Sequence, residues 1–185
     1  MKVNFEKTCS KVKPMHATNN GPAVRTSAFG KKPAEKTDFW QVAGIPYART
    51  HDSSSNSTYG GEHTVDVNFI FPDFDRDASD PEAYDFFYTD SYVKRVLNVG
   101  ARVFYRLGHR IEHEVKKYGT IVPKDYQKWA VICEHIIRHY NEGWADGYNL
   151  GIEYWEIWNE PDLDPETATN KRTWGGTDKQ FFELY

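Results

Sequence analysis

The stretch Glu153-Tyr154-Trp155-Glu156-Ile157-Trp158-Asn159-Glu160-Pro161 decides the fold that this sequence predicts. Its aromatic and β-branched residues favour a strand over residues 153–159. Pro161 cannot donate to a ladder of hydrogen bonds, so the strand must end there. The carboxyl end of the strand therefore places Asn159 and Glu160 side by side. A carboxylic acid at such a position can donate a proton when burial or a second carboxylate raises its pKa.

Working outward from this strand, three more strands are predicted, at residues 14–20, 45–50 and 102–107. Helical patterns lie between the strands, and an alternation of strand and helix is typical of a parallel sheet with crossover helices. The other connections are interpreted as a polar linker at 31–36, a Ser-, Asn- and Gly-rich loop at 51–61 and a long irregular excursion at 64–85.

The helices are predicted from apolar spacing and from the residues that begin and end them. They lie at residues 38–43, closed by Gly44; from a cap at Thr89 or Asp90 to Gly100; from Pro123, with Asp125 in the first turn; and from Thr177 to Tyr185. The third has the clearest apolar stripe, formed by Tyr126, Trp129, Ala130, Cys133, Ile136, Ile137 and Tyr140. Such stripes predict helices that cover one face of the sheet.

Polar residues follow the predicted strands at their carboxyl ends, which meet at one edge of a parallel sheet. The candidate site residues are Glu160, Asn159, His51, Asn19, Asn20, Trp158 and His109. Glu156 shares its strand parity with Trp158 and Glu160, so its carboxylate is expected to face the same side and to need a cationic partner. Arg49 or Arg106, on neighbouring strands, could supply it. We interpret Arg49 and Glu156 as structural support for the site.

The run Trp158-Asn159-Glu160-Pro161 at the end of the fourth strand is similar to the acid/base motif of barrel glycosidases that carry the acid on strand four and the nucleophile on strand seven. With its flanking segments, the chain resembles glycoside hydrolase family 39, which includes β-xylosidases and α-L-iduronidase. The likeness is carried by Pro123-Lys124-Asp125-Tyr126-Gln127-Lys128-Trp129, Ile137-Arg138-His139-Tyr140, residues 154–163, Trp174-Gly175-Gly176-Thr177 and residues 181–185. Asn19-Asn20-Gly21-Pro22 and Arg49-Thr50-His51 also fit the family's first two strand ends.

The resemblance implies a (β/α)₈ barrel, with residues 1–185 forming a partial catalytic domain that covers strands one to four. It implies a retaining, xylosidase-like glycoside hydrolase in which Glu160 is the general acid/base. Asn159 would bind the 2-hydroxyl of the substrate, and His51 would be a substrate-side residue. Because the nucleophile would come from strand seven, the 185 residues alone are expected to be inactive. Many members of the family have Gly after the histidine that corresponds to His51, whereas this chain has Asp52. The resemblance therefore leaves the identity of the sugar substrate open.

Two alternatives compete with the enzyme hypothesis. The first is a non-catalytic carbohydrate-binding or structural remnant of such a barrel, because the predicted strands include no nucleophile. The second is a zinc site, since His109-Arg110-Ile111-Glu112-His113 matches the H-x-x-E-H pattern of some metallopeptidases. That pattern needs a long helix, whereas here it follows a predicted strand, so a loop is favoured and no metal or other cofactor is expected.

Composition limits the classes of partner. Lys and Arg number 23 against 27 Asp and Glu, a formal net charge of −4, which argues against nucleic acid or an anionic membrane as a partner. Residues 1–13 lack the apolar stretch of a signal peptide, so a cytoplasmic location is expected. Cys9 and Cys133 are expected to be free thiols. A carbohydrate is the expected substrate, and the unpaired edges of a partial barrel predict self-association.

Overall fold

The computed structural model describes residues 4, 6–7, 10–11, 13–22, 24–25, 34–35, 37–51 and 63–185. The strands within these residues are β1 (Thr18–Asn19), β2 (Val24–Arg25), β3 (Ala34–Glu35), β4 (Tyr47–Arg49), β5 (Arg102–Leu107) and β6 (Tyr154–Ile157). The helices are α1 (Thr37–Ala43), α2 (Val67–Ile70), α3 (Phe87–Asn98), α4 (Tyr126–Asn141) and α5 (Asp178–Leu184), with a 3₁₀ turn at Pro81–Ala83.

The main sheet has the order β1-β4-β5-β6, and every neighbouring pair is parallel. In its register Asn19 pairs with Arg49, Arg49 with Phe104, and Arg106 with Glu156. Four parallel strands that follow one another along the sheet and alternate with helices confirm the predicted fold, the first part of a (β/α)₈ barrel. Their carboxyl ends lie at one edge, as the site prediction requires.

Strand β5 has the bounds that the sequence predicts, but the other three are shorter. Residues 14–17 are not part of β1; the His16 ring is hydrogen-bonded instead to the carbonyls of Ala43 and Gly44 at the end of α1. At the other end of the sheet, β6 stops after Ile157 because Trp158 adopts a left-handed backbone with φ of 70°. Thr50 after β4 and residues 158–159 after β6 therefore lie in irregular backbone beyond the strands.

The predicted polar linker at residues 31–36 is wrong in part. Ala34–Glu35 forms a short antiparallel ladder with Val24–Arg25, outside the main sheet. A two-residue pairing leaves no periodic pattern in the sequence, which explains why it escaped prediction. Of the loop predicted at residues 51–61, the structure describes His51. Residues 52–61 lie outside the described residues. Residues 64–85 are mostly irregular, as expected, apart from α2 and the 3₁₀ turn.

Two predicted helix starts need correction. Neither Thr89 nor Asp90 caps α3, which begins at Phe87. The Thr89 hydroxyl donates instead to the Thr64 carbonyl, and Asp90 turns towards α4, where it accepts a hydrogen bond from His139 Nε2 at 3.1 Å. Tertiary contacts have thus replaced the local capping role that these residue types favour.

Asp125 is the N-cap of α4 rather than part of its first turn, because its carboxylate accepts the Lys128 N–H at 2.9 Å. Helix α5 lies within the predicted residues 177–185, and Thr177 is its N-cap, which forms a reciprocal capping box with Gln180. Gly44 and Gly100 follow α1 and α3 with positive φ of 60° and 82°, the left-handed conformation that ends many helices.

The core lies between the sheet and the helices that cover one of its faces. From β5 the buried residues Val103, Tyr105 and Leu107 face this core, and the Tyr105 ring lies 5.7 Å from that of Tyr140 on α4. The predicted stripe of α4 is largely confirmed, but Ala130 is exposed, and Ile132, His135 and His139 are buried as well.

Cys133 is a buried free thiol, as predicted, and burial raises its pKa well above the usual value. Cys9 lies outside the described residues. No helix in the described part of the chain is long and apolar enough to cross a bilayer. The predicted self-association stays a prediction.

Candidate active site

Arg49 at the end of β4 connects three strands of the sheet through its guanidinium. Its Nε and Nη2 donate to the two carboxylate oxygens of Glu156 on β6, each at 2.6 Å. Nη1 donates to Asn19 Oδ1 on β1 at 3.0 Å, and Nη2 also reaches Asn159 Oδ1 at 2.8 Å. Asn19, Arg49, Glu156 and Asn159 are called the Arg49 cluster below. The structure therefore brings together four of the predicted residues, and Glu156 has Arg49 rather than Arg106 as its partner.

The Arg49 cluster fixes the orientation of the Asn159 side chain. A guanidinium can only donate hydrogen bonds, so the amide must present Oδ1 to Arg49. The Asn159 Nδ2 group consequently points away from Arg49, and it is buried without an acceptor among the described residues. A buried amide donor without a partner costs free energy unless a ligand supplies the acceptor. The Asn159 Nδ2 group is therefore left as an available donor at this end of the sheet.

Glu160 follows Asn159 on a strained turn, with an exposed side chain. Its φ is 42°, a left-handed value that non-glycine residues rarely adopt. The turn is held by the Glu160 carbonyl, which accepts the Thr173 hydroxyl at 2.6 Å and the Leu163 N–H at 3.0 Å. Strained backbone that is fixed in this way is concentrated at functional sites.

Trp158 is buried in the core, with 1% of its surface exposed. Its ring lies 5.1 Å from Trp174 and 6.0 Å from Trp129, and its Nε1 donates to the Thr173 carbonyl at 2.7 Å. The parity argument that grouped Trp158 with Glu156 is therefore wrong, because the positive φ of Trp158 ends the regular alternation of the strand. In this position the ring packs in the core and supports the turn that carries Glu160.

The close approach of β5 and β6 at this point depends on Gly108. Its φ is 141°, and a Cβ atom there would lie 2.9 Å from the Cα of Trp158. Any side chain would therefore push the Trp158 backbone away. Gly108 fixes the position of the strained turn from the neighbouring strand.

A second arginine, Arg106 on β5, is fully buried and binds Asp66 rather than Glu156. Its Nη2 donates to Asp66 Oδ1 at 2.7 Å and to the His51 carbonyl at 2.8 Å. The other carboxylate oxygen of Asp66 accepts the Arg110 N–H at 3.0 Å. Burial raises the pKa of Asp66, and the Arg106 charge opposes that shift. This ion pair joins the end of β5 to the segment before α2.

The predicted residue His51 lies beside this ion pair and is buried. Burial, together with the positive charges of Arg106 and Arg49, lowers its pKa to about 3. The imidazole is therefore neutral near pH 7, so it can both donate and accept a hydrogen bond. Asn20 follows β1 with φ of 67°, and its N–H donates to the Arg49 carbonyl at 2.7 Å.

His109 lies after β5, with its ring 5.7 Å from that of Trp158 and its Nδ1 3.9 Å from Asp66 Oδ2. The His109–His113 segment is a loop, as favoured. The Glu112 carboxylate within it accepts the Gly119 and Thr120 N–H groups and the Thr120 hydroxyl at 2.7 Å. That carboxylate organises the loop at 112–120. Among the described residues, no group of three or more His, Cys, Asp or Glu could hold a metal ion.

Sequence reasoning missed three residues that shape this region. Asp66 and His63 are buried, and Thr173 holds the Glu160 turn. All three lie in segments without strand or helix periodicity, and nothing local distinguishes Asp66 from the other acids of residues 64–85. The signal that could have indicated Asp66 is Arg106 itself, since an inward-facing arginine on a central strand needs a carboxylate partner.

Comparison with solved structures identifies a similar chain in the crystal structure of a glucosidase from Croceicoccus marinus. The two align with a TM-score of 0.64 and 27% sequence identity, over 80% of this chain and 28% of that chain. This chain therefore corresponds to little more than a quarter of the glucosidase's length. It matches no protein-family model and no curated protein sequence. The fold is glycosidase-like, and membership of family 39 stays a prediction.

Proposed function

We propose that this chain provides the acid/base part of a retaining glycoside hydrolase site, with Glu160 as the general acid/base. The observation that carries the proposal is the buried Asn159 amide, whose Oδ1 is held by Arg49 and whose Nδ2 is left for an acceptor. A sugar hydroxyl is such an acceptor. The next residue, Glu160, is exposed on a fixed, strained turn at the carboxyl end of the sheet, where barrel enzymes have their active sites.

The proposed reaction has two steps. In the first, the protonated Glu160 carboxyl gives its proton to the glycosidic oxygen while a carboxylate attacks the anomeric carbon. The bond to the leaving group breaks, and a covalent glycosyl–enzyme ester forms. In the second, the Glu160 carboxylate takes a proton from water, whose oxygen attacks the same carbon and releases the carboxylate. The family resemblance assigns the nucleophile to the seventh strand of the barrel.

The proposed substrate is a neutral β-linked sugar, with xylosides as the first choice from the family resemblance. The similar solved structure is a glucosidase, so glucosides are the direct competitor. The two sugars differ by the hydroxymethyl group on C5, so their discrimination depends on the pocket walls rather than on Asn159, which would face the 2-hydroxyl of both. Comparison of kcat/KM for nitrophenyl β-D-xyloside and nitrophenyl β-D-glucoside settles the preference.

The stereochemistry of the product tests the two-step mechanism. In the protein that combines this chain with the remaining strands, proton NMR should show the β-anomer of xylose as the first product released from a β-xyloside. A first product in the α-configuration would show inversion and overturn the covalent intermediate. Binding of xylosides with no turnover would instead support the non-catalytic alternative.

A further inference from the structure

Glu112 carries a buried carboxylate that the chemistry described above does not use. The residue is 3% exposed. Its two carboxylate oxygens accept the N–H groups of Tyr118, Gly119 and Thr120 at 3.1–3.3 Å and the Thr120 hydroxyl at 2.7 Å. Successive backbone N–H groups of this kind form a concave site for an anion. The carboxylate therefore closes residues 112–120 into a loop by holding its two ends together.

The same two ends bind the segment 172–175 through their main chain. The Glu112 N–H donates to the Arg172 carbonyl at 2.8 Å, and the Gly175 N–H donates to the Thr120 carbonyl at 2.7 Å. At the second contact the two segments are so close that a Cβ atom on Gly175 would lie 2.9 Å from the Thr120 oxygen. The Glu112 carboxylate consequently sets the spacing of the two anchors that hold residues 172–175.

Between these two anchors, Thr173 contacts the turn that carries Glu160. Its hydroxyl donates to the Glu160 carbonyl at 2.6 Å, and its carbonyl accepts the Trp158 Nε1–H at 2.7 Å. Since φ of Glu160 is 42°, the turn keeps this strained backbone only while the surrounding contacts fix it. A displacement of Thr173 would therefore change the direction in which the Glu160 side chain leaves the sheet.

The loop 112–120 also packs on a ring that contacts Trp158. Gly119 approaches His109 so closely that a Cβ atom at this position would overlap the His109 Nδ1 atom. The His109 ring in turn lies 5.7 Å from the ring of Trp158. The loop thus reaches the turn through a second set of contacts, which does not depend on Thr173.

We infer that Glu112 is a positioning residue for Glu160, which it orients through the loop 112–120 and Thr173. This role rests on the proposed function, because the direction of the Glu160 carboxyl affects the rate only if that carboxyl transfers a proton. It also explains the acidic residue of the His109–His113 motif without a metal, since its carboxylate binds main-chain N–H groups.

Leaving-group dependence in the full barrel tests the positioning role. Glu112→Gln keeps the shape of the side chain but replaces one acceptor oxygen with an amide NH₂ group, which cannot accept the loop N–H groups. We expect kcat/KM for methyl β-D-xyloside to fall by about 10- to 100-fold, because its leaving group needs a well-placed proton donor. For a dinitrophenyl xyloside, which needs little protonation, kcat/KM should stay within about twofold of the parent value. A merely structural role would lower both values equally.

Glu114→Gln is the matched control, since Glu114 lies in the same loop with a side chain that is 49% exposed. It should change neither value. Because Asp164 also accepts the Arg172 N–H, at 2.6 Å, we expect the variants to fold, which urea unfolding checks. Thr120→Val removes one donor to the Glu112 carboxylate and should lower the ratio of the two kcat/KM values by about threefold or more. Thr120→Ser keeps the hydroxyl and should restore the parent ratio.

Two results would overturn the positioning role: equal losses for both xylosides in Glu112→Gln and Thr120→Val, or parent values in both variants. If Glu160→Gln shows leaving-group dependence and these two variants do not, the positioning role fails and the proposed function stands. If Glu160→Gln shows no such dependence, the proposed function itself fails, and the positioning role fails with it.

Discussion

Arg49 and Arg106 lie on adjacent strands and both bind a carboxylate, yet their surroundings differ. Arg49 and Glu156 have side chains that are 27% and 29% exposed, whereas those of Arg106 and Asp66 are 0% and 5% exposed. The open pair also holds Asn19 and Asn159, which belong to the candidate site. The buried pair joins a strand to a loop segment. The same ion-pair chemistry thus organises the site in one place and maintains the fold in the other.

The largest expected effect is on stability, from loss of the buried arginine. Arg106→Met leaves the Asp66 carboxylate buried without its partner, and we expect the free energy of unfolding to fall by about 3–5 kcal/mol. Arg49→Met, at the more exposed pair, should cost only about 1 kcal/mol. Urea unfolding monitored by circular dichroism measures both. Equal losses would contradict the distinction between the two pairs.

A double variant sharpens the same comparison. Removal of both buried charges in Arg106→Met/Asp66→Leu should restore much of the lost stability, because the penalty arises from the uncompensated carboxylate. A loss in the double variant equal to the sum of the single losses would indicate that Arg106 stabilises the fold by packing alone.

The histidines near the Arg106–Asp66 pair predict that the free energy of unfolding depends on pH, with an effect of intermediate size. The pKa values of His51 and His109 are lowered to about 3 and that of His63 to about 4, from 6.5. Between these values and 6.5 the unfolded chain binds protons that the folded chain does not, so stability falls as the pH decreases from 6.5 towards 4. Each histidine contributes up to about 1.4 kcal/mol per pH unit.

Unfolding free energies at pH 7, 6 and 5 measure this slope. His109→Gln should make the slope shallower, and His113→Gln, at an exposed position of the same loop, should leave it unchanged. Stability that stays constant from pH 7 to pH 5 would show that the three rings are accessible to protons in the folded state.

The sequence predicted the parallel sheet because strand and helix periodicities are local signals. It also predicted that Glu156 needs a cationic partner from a neighbouring strand, Arg49 or Arg106, and the structure shows that the partner is Arg49. Asp66 escaped because its pairing depends on how the segment before α2 folds back on β5, and no local pattern encodes that contact. Trp158 was misplaced because parity fails once the backbone becomes left-handed, and such strain is a property of the folded chain.

Arg49→Met is expected to affect the stability of the fold less than Arg106→Met does, and to lower activity at the candidate site specifically. Without the guanidinium, Asn159 can rotate its amide, so kcat/KM of the full barrel should fall by about tenfold, the value of one hydrogen bond. The midpoint of urea unfolding should change little. A large loss of stability without any change in kcat/KM would assign Arg49 to the fold, like Arg106.

The smallest effect is expected at the opposite end of β6. Glu153 binds Arg102 at 2.9 Å, and the two side chains are 52% and 58% exposed. Exposed pairs of this kind are screened by water, so Glu153→Gln should change neither the unfolding midpoint nor kcat/KM measurably. A clear decrease in the unfolding midpoint or in kcat/KM would mean that the Glu153 charge contributes to stability or activity despite its exposure to solvent.

The central claim is that Glu160 is the general acid/base, and leaving-group dependence tests it most directly. In the full barrel, Glu160→Gln should slow hydrolysis of methyl β-D-xyloside by about 10²–10⁴-fold, because its leaving group requires protonation. With a dinitrophenyl xyloside the first step should stay fast, a covalent intermediate should accumulate, and azide should restore turnover, since that anion needs no general base. Glu153→Gln, just before the other end of β6, is the control. The same loss for both leaving groups, without azide rescue, would show that Glu160 is structural.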